Sequence, residues 1–339
     1  MSGAMKPIVS VFINAYNRKN YIMGALRSVL SQDISKGSFE LKVVKNFLDN
    51  DIDSFCKENG IESYQVEGSI GDYINTAIDH SNGDIIAFLD DDDMFAKAKL
   101  SRIIQCYSDL PGLDYYHNRI ELVEEGGDYS KRKYSETFLH QDIKSTRICY
   151  VNISTPKQVK EAISFGGAFN MSSIAISKKL GRLIQPLLSE LYYAQDEFMF
   201  YMAWTFANTL VFDTEPLTLY RDLSYERHAS GDLTGLIAFH AAHARMEVES
   251  LSRFRSLVRD ELKPIIEGDL SIRALRSYVL GDCHDRLLGM KLLLRSLNPR
   301  TLILDKYTLS IRLLGILSLL SPDRSRRLMF HLKRRTRKA

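Results

Sequence analysis

Cysteine is scarce in this chain of 339 residues: Cys56, Cys106, Cys149 and Cys283 are the four present, far apart and without a CxxC pair. Such spacing excludes the disulfide framework of a small secreted domain. A secretory signal pattern is also lacking near the start, so a reducing, cytoplasmic setting is expected. Long hydrophobic runs are missing as well. Leu313 to Pro322, the charge-free piece just ahead of the basic tail, falls far short of the roughly 20 apolar residues that cross a bilayer. Internal repeats and low-complexity segments are absent, which excludes repeat arrays and compositionally disordered chains.

What is present is enough for a substantial core: 45% of residues are hydrophobic, and the length exceeds the usual size of one domain. The net charge of +3 is unevenly placed, because residues 323–339 hold eight basic residues against one acid. Taking that local +7 from the total leaves the rest of the chain at −4. The basic character therefore belongs to the C-terminal tail.

Met1 to Ala4, ahead of Met5, stand outside the fold argument. Pro7 to Tyr16 reads as a strand feeding a helix over Asn17 to Gln32, whose Tyr21, Ile22, Ala25, Leu26, Val29 and Leu30 have helical spacing. Strands at Leu41 to Val44, Ser63 to Val66 and Asp84 to Leu89 alternate with helices at Ile52 to Asn59 and Ile70 to Ser81. This alternation predicts an α/β domain with a mostly parallel sheet covered on both faces. Tyr115 to Val123 reads as a strand, 124–136 as a loop, Ala194 to Asn208 as a helix and Leu210 to Tyr220 as one or two strands. After about Gly231 the pattern becomes helical, with segments at Leu236 to Val258, Ser271 to Leu297 and Leu302 to Leu320. Two domains are expected, 5–231 and a helical extension over 232–339.

The stretch IIAFLDDDDMF sets Asp90, Asp91, Asp92 and Asp93 directly behind a buried-type strand. Adjacent carboxylates repel by about 1 kcal/mol in water and several times that in a drier cleft, so the cluster needs a counter-charge. Ligands of α/β sheets bind beyond the carboxyl ends of the strands, where these residues fall. Oxygen-only donors suit Mg²⁺ or Mn²⁺, which bind substrate phosphates beside one or two carboxylates.

VSVFINAYNRKNYIMGALRSVLSQ followed by GDIIAFLDDDDMF resembles the family 2 glycosyltransferases, inverting enzymes of the GT-A fold. The resemblance covers about residues 7–110 and extends more loosely to about 230. It implies that Ala15, Tyr16, Asn17 and Arg18 line a nucleotide pocket, together with Gly71 and Asn75 from the helix before the acidic strand. Asp90 would face the ribose or sugar, Asp92 would be the principal metal ligand with Asp90 beside it, and Asp91 fills the variable position. Where the family carries a DDGS-like turn this chain has Lys45 and Asn46, and Asn46 can both donate to and accept from a base edge. The expected donor is a nucleotide-diphosphate sugar, UDP foremost, with the base left open.

Inverting transfer needs a general base within reach of the acceptor hydroxyl. The resemblance points to Asp196, with Glu197 as substitute, in YYAQDEFMFYMAW. Read without it, the same pair simply complements a helix N-terminus. In LTLYRDLSYERHAS, Arg221 would contact the diphosphate and His228 would be a further metal or phosphate ligand. The acceptor expected is a saccharide or lipid-linked hydroxyl. Pro322 is expected to end a helix and leave a basic tail, either frayed or lying on an anionic membrane. Two readings compete: a nucleotidyltransferase-like enzyme, disfavoured because Ile13 to Arg18 is no glycine- and arginine-rich loop, and a non-catalytic nucleic-acid or membrane binder, disfavoured by the acidic body.

Overall fold

The computed structural model describes residues 7–35, 37–123, 147–151, 155–221, 233–281, 286–298 and 306–335. The chain divides into two compact units, 1–222 and 223–339. The break lies a few residues ahead of the expected 231/232 boundary.

The first unit opens with β1 (Val9–Ala15), α1 (Ile22–Leu30), β2 (Phe39–Lys45), α2 (Asn50–Glu58), β3 (Glu62–Gln65), α3 (Ile70–His80) and β4 (Ile85–Asp90). These strands pair in parallel in the order β3-β2-β1-β4. Side chains alternate along a strand, so Val9, Val11, Ile13 and Ala15 share one face. There they join Ile22, Ala25, Leu26 and Val29 of α1 in the main core. Each such branched side chain contributes roughly 1.5–3 kcal/mol through burial. Local chemistry starts the helices: Asp49 caps α2, and Ser69 with Asp72 forms a capping box on α3.

Beyond β4 come β5 (Met94–Phe95), α4 (Lys99–Asp109), β6 (Leu113–Val123), β7 (Arg147–Val151), α5 (Pro156–Phe165), β8 (Ile174–Ser177), α6 (Lys178–Ile184), α7 (Gln195–Phe206) and β9 (Thr209–Arg221). β8 inserts antiparallel between β4 and β6, β9 runs parallel to β6, and β5 and β7 pair antiparallel with β9. Among the described residues six strands thus run one way while β5, β7 and β8 oppose them, giving a mixed α/β unit with a mostly parallel central sheet. The expected strand over Leu210 to Tyr220 is one long strand with register shifts against β6. The expected loop at 124–136 lies outside the described residues.

The second unit holds α8 (Leu233–Leu257), α9 (Lys263–Leu280), α10 (Arg286–Ser296), α11 (Lys306–Leu320) and α12 (Pro322–Arg335). Its core gathers Ile272, Leu275, Tyr278 and Val279 of α9 with Ile311 and Leu314 of α11 and Met329 of α12. Two expectations are corrected here. The helix read over Ser271 to Leu297 is two helices, and Pro322 begins a helix where a basic tail was expected. Proline fits there because the first helical turn needs no N–H from it. No helix among the described residues is long and apolar enough to cross a membrane.

Candidate active site at the acidic turn

β1 and β4 lie side by side, with Asn14 opposite Asp90 at their carboxyl ends. The backbone N–H of Asp91 donates to the Asn14 carbonyl at 3.2 Å, which folds the acidic turn over the end of β1. β5 then carries the chain onto β9, so that Arg221 at the end of β9 meets the turn. The Arg221 N–H donates to Asp93 Oδ1 at 3.0 Å, its Nε donates to the Asp92 carbonyl at 3.1 Å, and its guanidinium lies 4.7 Å from the centre of the Tyr21 ring.

The four carboxylates have different surroundings. Asp93 is a structural anchor, whose Oδ2 accepts from Ser172 Oγ at 2.7 Å and Asn170 Nδ2 at 2.9 Å. Asp91 and Asp92 both pair with the Arg18 guanidinium. Arg18 thus supplies the counter-charge that the aspartate run requires. Burial pushes the Asp91 carboxyl up to about 7 against the pull of Arg18, and burial with the Asp92 charge pushes Asp93 up to about 6. Burial, reinforced by the three neighbouring carboxylates, raises Asp90 well above its ordinary value. Asp91 is fully buried, and its Oδ2 has no hydrogen-bond partner. The amide of buried Asn14 and the Tyr73 hydroxyl are likewise unmatched. These are polar atoms for which a ligand or water would provide partners.

No three His, Cys, Asp or Glu side chains among the described residues converge into a metal cage. The oxygen donors that are present, Asp90, Asp91 and Asp92 at one turn, fit a hard cation held largely by substrate phosphates. His228 lies outside the described residues.

Asp196 and Glu197 open α7, as expected, and the turn before them is unusual. Ala194 has φ of 61°, a left-handed conformation that side chains other than glycine rarely adopt. Asn170 has φ of 72° and Asn17 has φ of 55°, and among the described residues these are the non-glycine positions with positive φ. Asn17 adjoins Arg18 and Ala194 lies two residues before Asp196, and strain of this kind clusters at functional sites. Asn170 joins the two acidic motifs. Its amide donates to Asp93 Oδ2 and its backbone N–H donates to Asp196 Oδ2, each at 2.9 Å. Asp196 Oδ1 also accepts from the Glu197 N–H at 3.0 Å.

The remaining predicted residues divide. Tyr16 is exposed, with its ring edge-on to Tyr73 at 6.2 Å. Asn17 and Asn46 bind each other reciprocally: the Asn17 N–H donates to Asn46 Oδ1 and Asn46 Nδ2 donates to Asn17 Oδ1, each at 2.9 Å. Lys45 turns away to Asp53 and the Phe47 carbonyl. Ala15 does not offer its side chain to the pocket, because strand alternation points it into the core beside α1. Gly71 and Asn75 lie on α3 and face the segment that holds Gln185 and Leu188. A Cβ on Gly71 would stand 2.1 Å from the Leu188 carbonyl oxygen, so this glycine allows a close packing of α3. Asn75 Oδ1 accepts from Gln185 at 2.7 Å.

Sequence reasoning missed Lys99 and the hold of Asn170 and Ser172 on Asp93. Lys99 is fully buried, donates to the Ser172 carbonyl and to Thr218 Oγ1, and has its Nζ 3.9 Å from the Phe95 ring centre. Burial lowers its pKa well below the ordinary lysine value. It ties together the segments that carry the acidic turn, and nothing in KAKLSRII distinguishes it from a surface lysine.

Residues 10–159 match the model of glycosyl transferase family 2. An uncharacterized glycosyltransferase of Rickettsia bellii is 31% identical over 135 residues, 38% of this chain and 19% of its own length. Glycosyltransferase AglE of Haloferax volcanii is 28% identical over 147 residues, 41% of this chain and 48% of its own length. The chain thus spans about a fifth to a half of the length of these curated relatives. Among solved structures, S. aureus TarS residues 1–349 in complex with UDP-GlcNAc superposes with a TM-score of 0.58 at 15% identity, covering 97% of this chain and 92% of that one. At that identity the likeness carries the fold, which is of the GT-A type with a helical C-terminal region.

Proposed function

We propose that this protein, a family 2 glycosyltransferase over residues 10–159, is a metal-dependent inverting enzyme that moves a sugar from a nucleotide diphosphate to a hydroxyl of a glycan or lipid-linked saccharide. The observation that carries this reading is the Asn170 bridge, which links the acidic turn to the acid that opens α7. UDP is the first donor to test, since the similar TarS structure holds UDP-GlcNAc.

Asp92, with Asp90 beside it, would hold Mn²⁺ or Mg²⁺, and the bound cation supplies neutralisation of the leaving diphosphate. Arg18 pairs with Asp91 and Asp92 and can exchange those carboxylates for phosphate oxygens, an anion its planar fork also suits. Arg221 holds the turn by its backbone and Nε. Asp196 would take the proton of the acceptor hydroxyl, and its two backbone donors fix the direction of its carboxylate. Buried Asn14 and Tyr73 keep polar atoms without a partner, to which the donor's hydroxyls would bind. The basic segment 323–339 would attract an anionic membrane surface and so bring a lipid-linked acceptor near.

Replacement Asp196→Asn is the test. Donor binding measured by calorimetry should stay within about twofold while transfer falls by about a hundredfold or more, the range for losing a general base. Full transfer activity in Asp196→Asn, with Glu197→Gln equally active, would remove both residues from the role of base.

A further inference from the structure

The second unit leaves two apolar stripes on its surface. On α10, Leu287, Met290, Leu294 and Leu297 recur at three- and four-residue steps running just past the helix end, and all four are exposed. On α11 the same steps give Leu309, Leu313, Ile316 and Leu320, also all exposed, with Leu313 at 67% and Leu320 at 76%. These residues are not the helices' inner faces. α11 turns Ile311 and Leu314 into the core, and Leu292 and Leu293 of α10 pack against the same core. The buried Arg312 guanidinium donates to the Ser296 carbonyl at 2.9 Å, so α11 is fastened to the end of α10 and the two stripes belong to one fixed pair of helices. Eight large apolar side chains exposed along two linked helices mark an interaction face.

Charge decides what covers it. From Arg286 to the end of the chain there are fourteen Lys and Arg against Asp305 and Asp323, a net +12 that leaves residues 1–285 at −9. Arg286, Lys291 and Arg295 are exposed on the same helix as the first stripe, and Arg324 and Arg327 are exposed on α12. A second copy docking through this face would bring two +12 segments together, which is electrostatically opposed. An anionic lipid surface attracts the charge and accepts the leucines, while no helix among the described residues is long and apolar enough to pass through.

We infer that α10 and α11 form a docking face for an anionic lipid surface, with the leucine stripes entering the headgroup region and the surrounding Lys and Arg pairing with lipid phosphates. This face precedes the basic tail of residues 323–339 and is independent of the sugar-transfer reading.

The full chain is centrifuged with vesicles of phosphatidylcholine alone and of phosphatidylcholine mixed with phosphatidylglycerol, alongside the double variant Leu313→Asp, Leu320→Asp and the control Leu183→Asp on α6. Wild type and control should sediment with the phosphatidylglycerol vesicles, and the double variant, checked by circular dichroism and by unchanged nucleotide binding, should bind them about tenfold or more weakly. Failure of the wild type to bind those vesicles, or equal binding by the double variant, overturns the proposal. So does a lipid-free dimer, seen by sedimentation velocity, that the double variant breaks, because the stripes would then be a protein interface.

Discussion

Four consecutive aspartates at the end of a buried strand are tolerated because hydrogen bonds and one arginine divide them. Asp93 is absorbed by Ser172, Asn170 and the Arg221 backbone, while Asp91 and Asp92 share Arg18. The Asp91 carboxyl sits at about 7 because burial outweighs Arg18, whereas in the unfolded chain it titrates near 3.9. The folded state therefore binds the proton more tightly. The stability this confers is complete below about pH 4 and is lost as pH rises through about 7. Urea unfolding without divalent metal should show stability falling between about pH 4 and about pH 7, and Asp91→Asn should flatten that fall by about 1–3 kcal/mol; parallel profiles for the two proteins would contradict the assignment. Arg18→Met removes the counter-charge and should cost about 1–3 kcal/mol at about pH 8, the penalty of leaving buried carboxylates unpaired, with Mn²⁺ restoring part of the loss. A variant as stable as wild type without metal would mean that Arg18 is not the internal counter-ion.

At the scale of elements, the alternation from β1 to β4 was legible in the sequence because β1 and β4 are buried, largely apolar runs and the helices between them carry their own apolar period. Further along, β6, α7 and β9 were read as elements, while β5 and β8 were not. β5 has two residues, and β8 is a four-residue strand that becomes a strand only by inserting between β4 and β6. α4 could have been found from Leu100, Ile103 and Cys106, which recur every three residues and are buried. The acidic motifs of the site were likewise legible, but the Asn170 bridge and the Lys99 tie were not, since each depends on residues brought together over long sequence separations. Gly71, read as a pocket residue, is also required by packing. Gly71→Ala puts a methyl group against the Leu188 carbonyl and should lower stability by about 1–3 kcal/mol. A melting temperature unchanged from wild type would show that the segment around Leu188 yields without cost.

For the whole molecule, sequence and structure agree on an α/β unit that carries the acidic turn and a helical unit that carries the positive charge, each with its own core cluster. The central claim is that the acidic turn binds a metal and a nucleotide diphosphate together. The measurement that tests it most directly is calorimetric titration of UDP, GDP, CDP and dTDP, each with and without Mn²⁺, into wild type and Asp92→Ala. One nucleotide should bind only when Mn²⁺ is present, and the variant should lose that binding by about tenfold or more. A folded wild type that binds none of the four, or one whose binding is indifferent to both Mn²⁺ and Asp92, would contradict the account.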